Sequence, residues 1–116
     1  MNKIAGLAIL IAALFLLIFF TAPVFATTGK ALFNSEGCIA CHTINGRGGS
    51  VGPDLSHAGS RRSFSWIKTQ ITNPSAHFAS GSTVTINGQS YMAIMPAKNM
   101  PASELNALAQ YLESLK

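Results

Sequence analysis

A chain of 116 residues with a net charge of +4 and only two cysteines has room for one domain and little else. Its charges exclude a nucleic-acid surface, because Arg61 and Arg62 are the only adjacent cations and no basic stripe or cluster appears. A weakly acidic protein partner suits this balance better.

Lys3 precedes an uncharged apolar run from Ile4 to Phe20, followed by Pro23 and a small-residue site that ends at Ala26. This three-part layout predicts a signal peptide over residues 1–26, cleaved after Ala26, and export to the periplasm or another extracytoplasmic space. An uncleaved anchor that holds the protein at a membrane is the alternative, since the run approaches the roughly 20 apolar residues that span a bilayer. Pro23 breaks the helix just ahead of the cleavage site and favours removal. What remains, residues 27–116, is a small domain short of buried apolar surface, the kind that needs a disulfide, a metal or a cofactor as an internal staple.

Past the leader, Ala31, Leu32 and Phe33 give an apolar side to a short helix between Thr28 and Gly37. Gly37 can end it just ahead of the string Cys38-Ile39-Ala40-Cys41-His42. Two residues between cysteines close only a tiny loop, so a disulfide there stabilises little. A redox-active dithiol belongs beside a βαβ pattern, which is not visible. A structural zinc site needs four ligands at finger-like spacing, and there is no third cysteine. The histidine directly after the second cysteine favours the remaining reading, attachment of one haem c. Two thiols then form thioethers with the porphyrin, and His42 becomes the proximal iron ligand.

On these residues the sequence resembles the class I c-type cytochromes from about Thr28 to its end. It is also similar to the cytochrome domain fused to subunit II of some haem-copper oxidases, through Gly52-Pro53-Asp54-Leu55-Ser56-His57-Ala58-Gly59-Ser60-Arg61-Arg62 and the later Trp66. The resemblance implies an all-α cytochrome c domain over residues 27–116, with three to five helices around one haem. It implies that the first helix crosses the last through Gly29, Phe33 and Tyr111. It also implies that the Pro53 carbonyl accepts a hydrogen bond from the second ring nitrogen of His42, which orients the ring and raises its donor strength. Gly52 lets the chain come close to that ring.

The segment from Asn45 to Gly52, rich in glycine and polar residues, reads as a loop around the haem edge. Ser63 offers a cap for a helix from Phe64 to Thr72, in which Trp66, Ile67 and Ile71 recur at helical spacing and Asn73-Pro74 ends the run. Trp66 and one of Arg61 or Arg62 are candidates to meet the haem propionates, because a partly buried carboxylate needs donors or positive charge. His57 orders its loop or meets a propionate, and His77 sits in a polar loop.

Two β-branched or aromatic runs, Thr83 to Ile86 and Gln89 to Met92, flank Asn87-Gly88 and predict a small β-hairpin at about 83–92. This hairpin departs from the mainly helical family pattern and reads as an insertion that shields the haem edge. At the chain's end Leu105, Leu108, Tyr111, Leu112 and Leu115 form an amphipathic stripe, with Pro101 and Glu104 suited to the helix start.

The distal iron position has five candidates: Met92, Met95, Met100, His57 and His77. Met95-Pro96-Ala97 matches the family's ligand motif ahead of the last helix, so the resemblance implies Met95. Met100 suits an apolar staple on the next turn, and Met92 suits packing in the hairpin. A histidine–methionine iron carries electrons at a relatively high potential and is closed to small ligands. The expected function is therefore an exported single-haem electron carrier, not an enzyme, that serves redox protein partners such as an oxidase, reductase or dehydrogenase. The alternatives are a cytochrome subunit of a periplasmic dehydrogenase or oxidase complex, and a haem sensor or peroxidase with an open sixth site.

Overall fold

The computed structural model describes residues 28–116, so the leader expected over residues 1–26 lies outside them. Three α-helices build the frame. The first, α1 (Gly29–Ser35), starts where the Thr28 hydroxyl accepts the Ala31 N–H at 3.2 Å. It ends at Gly37, whose φ of 78° turns the chain out of the helix. The second, α2 (Phe64–Thr72), has the predicted bounds: the Ser63 hydroxyl caps Trp66 N–H at 3.2 Å, and Asn73-Pro74 stops it. The third, α3 (Ala102–Ser114), begins one residue after Pro101, which serves as its cap.

α1 and α2 both pack on α3. The contact of α1 with α3 is tight because position 29 has no side chain; a Cβ there would collide with the Ala107 carbonyl and Tyr111 Cβ. Spacing of three and four residues turns Leu108, Ala109 and Leu112 inward. They meet Leu32 and Phe33 of α1 and Ile67 and Ile71 of α2, and Ile44 closes the cluster. Leu108 is fully excluded from solvent; burial of such a side chain stabilises by roughly 1.5–3 kcal/mol. Met100 and Leu105, on either side of the start of α3, both pack against this cluster as a hydrophobic staple.

The expected all-α class is corrected: this is a mixed α/β small domain with two antiparallel two-stranded sheets. The hairpin over 83–92 forms, with β3 (Thr83–Ile86) paired to β4 (Gln89–Met92) and Val84 opposite Tyr91. A second hairpin runs into the stretch from Asn45 to Gly52 read as a loop. There β1 (Thr43–Ile44) pairs with β2 (Arg47–Gly48) around Asn45 and Gly46. Both turns place Asn then Gly at positive φ, 51° and 78° in the first and 53° and 80° in the second. That backbone matches the twist of paired strands, so Asn45-Gly46 carries the same instruction as Asn87-Gly88.

Candidate haem site

The proximal half of the site grows from the end of α1. After Gly37 the chain makes a single 3-10 turn, Cys38–Ala40. The Cys38 carbonyl accepts N–H groups from both Cys41 and His42, at 3.1 and 3.0 Å. This turn holds both thiols and the imidazole on one short segment. Both cysteines are free and half-buried. Burial raises the Cys38 thiol above its ordinary range, partly opposed by the positive charge of Lys98.

His42 is fixed from two sides. Its Nδ1 lies 2.8 Å from the Pro53 carbonyl oxygen; a carbonyl only accepts, so Nδ1 carries the proton and Nε2 keeps its lone pair. Gly52 lies against the ring, where a Cβ would stand 2.5 Å from Cε1 and 2.9 Å from Nδ1. The Gly52 N–H holds that segment in place by donating to the Cys41 carbonyl at 2.7 Å. Burial lowers the His42 pKa, and the bond to Pro53 partly restores it. The imidazole is thus neutral at neutral pH, the state a metal ligand needs. The first hairpin braces the same region, with the Thr43 hydroxyl donating to the Gly49 carbonyl at 2.8 Å and Gly49 N–H to the Ile39 carbonyl at 2.9 Å.

Met95, the expected distal ligand, lies on the segment between the second hairpin and α3. Ala93 N–H donates to Ser82 O at 2.8 Å and Lys98 N–H to Ile71 O at 2.9 Å, so the segment is tied to the hairpin at one end and to α2 at the other. Between these ties lies Met95, half-buried, with its Sδ 3.5 Å from Gln70 Nε2. Met95, Gln70, Pro74, Phe78 and Ile94 share the wall of a cleft of about 390 Å³. Cys38, Cys41 and His42 are not among its walls. Lys98, three residues past Met95, is near enough for its charge to lower the Cys38 thiol pKa against the effect of burial.

The other candidates fall elsewhere. Met100 packs on the core, and Met92 is 59% exposed instead of filling the hairpin's packed side. His57 is exposed, its Nδ1 2.8 Å from the Lys116 carbonyl oxygen. His77 stacks on Trp66, with centroids 4.2 Å apart and planes 3° from parallel, and its Nδ1 is 2.9 Å from Gln70 Oε1. Arg61 and Arg62 are exposed, and the Arg62 guanidinium lies 4.4 Å over the Trp66 ring. Gln70 was missed from sequence, although its place four residues after Trp66 sets both on one face of α2.

The donor chemistry fits a c-type haem. Two free thiols stand on one turn for covalent attachment, a neutral imidazole offers one ring nitrogen, and a thioether faces a cleft. Soft sulfur and imidazole donors suit haem iron. Among the described residues, no helix is long and apolar enough to cross a membrane.

The family model described as "Cytochrome c" matches residues 26–116. Cytochrome c oxidase subunit 2 of Alkalihalophilus pseudofirmus is 28% identical over 93 residues, which cover 78% of this chain and 26% of that protein. The chain thus spans about a quarter of the relative it matches. No solved structure matches. A Cys38-Ile39-Ala40-Cys41-His42 turn and a family match that runs through it to residue 116 lead to one conclusion: the chain belongs to the cytochrome c family, haem-binding proteins of electron transfer.

Proposed function

We propose that this protein is an exported, single-haem electron carrier that performs no substrate chemistry. Cys38 and Cys41 hold haem c as thioethers, His42 Nε2 is the proximal iron ligand and Met95 Sδ the distal one. The haem supplies a one-electron couple, and the protein's part is to fix both axial donors and keep other ligands out. One observation carries the reading: of Met92, Met95 and Met100, only Met95 lines the cleft, while Met100 packs on the core and Met92 faces solvent. Residues 1–26 act as the export signal and residues 27–116 form the domain, which works in the periplasm or a comparable compartment.

Trp66 with Arg61 or Arg62 meets the haem propionates, since these residues gather near the start of α2 and carboxylates there need donors. The spectrum of the oxidised protein tests the axial pair. Met95→Ala removes the thioether-to-iron band near the red edge and opens the reduced protein to carbon monoxide. Loss of the band in Met100→Ala instead would overturn the assignment. Similarity to an oxidase subunit favours a second reading, a cytochrome subunit of an oxidase or dehydrogenase complex. Stable co-purification with such a partner from the native host separates that reading from a free carrier.

A further inference from the structure

The Gln70 amide stands between two groups. Its Oε1 is 2.9 Å from His77 Nδ1 and its Nε2 is 3.5 Å from Met95 Sδ. Only one arrangement satisfies all three residues. A thioether accepts and cannot donate, so the NH₂ end must face the sulfur. The carbonyl end then faces the imidazole and needs a donor there, so His77 carries its proton on Nδ1. With the amide reversed, oxygen would face sulfur with no hydrogen between them, and Nδ1 would have to give up its proton.

His77 is itself held. The sequence Asn73-Pro74 ends α2, and the 3-10 turn Pro74–Ala76 folds the chain back. The imidazole then lies parallel to the Trp66 indole at 4.2 Å, with Phe78 edge-on to both rings. Trp66 is also covered by the Arg62 guanidinium and packs on the core. Trp66 and Gln70, four residues apart, share one face of α2, and Arg62, just ahead of the helix, reaches back over Trp66. Two contacts thus run from a clamped ring through an amide to the sulfur of Met95.

We propose that His77 is a positioning residue for the distal ligand: it orients the Gln70 amide so that Nε2–H donates to Met95 Sδ. This rests on Met95 being the distal ligand. A donor on the sulfur draws electron density from it, which weakens its support of the ferric state and raises the potential. The expected change in the reduced-to-oxidised ratio at fixed ambient potential is between roughly twofold and roughly tenfold, the upper end about 59 mV for one electron.

The test uses the haem-loaded full chain and three variants. Gln70→Leu removes the donor to sulfur. His77→Phe keeps an aromatic face on Trp66 and removes the donor to Gln70. His77→Asn places an amide N–H near the position of Nδ1. The expected result is a lower potential in Gln70→Leu and His77→Phe, recovery toward wild type in His77→Asn, and no further drop in the Gln70→Leu/His77→Phe double variant. The side-chain amide protons of Gln70, read by NMR, should lose protection from exchange in His77→Phe. If His77→Phe keeps the wild-type potential and amide protection, His77 does not position Gln70. If Gln70→Leu keeps the wild-type potential, the contact to sulfur carries nothing. Failure of the underlying reading looks different: the thioether-to-iron band is then absent from wild type or survives in Met95→Ala.

Discussion

Gly52 lies against the face of the His42 imidazole, so near that a single added carbon would stand 2.5 Å from Cε1 and 3.1 Å from Nε2. The contact leaves room for hydrogen at position 52 and for nothing larger. Gly52→Ala must tilt the ring or shift the Gly52–Pro53 backbone, which weakens the 2.8 Å bond to the Pro53 carbonyl. Such overpacking costs about 1–3 kcal/mol. The expected outcome is a lower denaturation midpoint together with a changed proximal histidine signal in resonance Raman; an unchanged spectrum would count against a role for Gly52 in orienting His42.

Each thiol should carry one covalent bond. Cys38→Ala and Cys41→Ala should each leave a haem attached by a single thioether, with a red-shifted pyridine haemochrome band. The double variant should yield a polypeptide whose mass lacks the haem. Mass spectrometry after export and maturation reads the result directly, and retention of covalent haem in the double variant would refute the attachment.

At the helix crossing, Gly29→Val meets the Ala107 carbonyl, a backbone group that cannot swing aside, so the cost is that of overpacking, about 1–3 kcal/mol. Leu108→Ala acts in the opposite sense by leaving a cavity where the side chain is 0% exposed, at about 2–5 kcal/mol. Urea titration should show the midpoint falling in both while the slope stays the same. Met92→Ala, on an exposed side chain, should change the midpoint little.

Acid stability has two separate windows. Burial lowers the His42 pKa from 6.5, so without haem the unfolded chain binds a proton that the folded one resists. That contribution is present above about 6.5 and is lost as the pH falls through the lowered folded value. Asp54 acts further down: its side-chain and backbone hydrogen bonds with Ser56, including Ser56 N–H at 2.7 Å, hold the carboxyl below 3.8. Its contribution is present above 3.8 and disappears as the pH falls through the lower folded value. Because Asp54 is exposed, the effect is small. Asp54→Asn should flatten the acid limb of the stability curve below about pH 4 and leave the region near 6.5 unchanged, as measured by denaturant midpoints across the range.

Much of the molecule was written in short stretches of chain. Cys38-Ile39-Ala40-Cys41-His42 is read without a fold, because the proposed attachment of haem needs only neighbouring residues. Ser63 and Asn73-Pro74 bound α2 through local hydrogen bonds and a missing N–H, and Asn87-Gly88 closes its hairpin through backbone preference alone. Asn45-Gly46 carried the same local signal within a stretch read as a loop, and the all-α class came from the family resemblance, which takes no account of either hairpin.

Contacts between distant segments were decided only in three dimensions. The resemblance chose Met95 from five candidates for the distal position by motif alone; the structure sends Met100 to the core, Met92 to solvent and His57 to the Lys116 carbonyl, and Met95 lines the cleft. It also brings His77, Gln70 and Met95 into one line, a relation invisible in a chain where they stand seven and 25 residues apart. Local chemistry depends on what adjacent atoms can do, and the sequence states that outright. Which side chains share a cleft depends on how helices and hairpins pack, and no run of neighbouring residues contains that information.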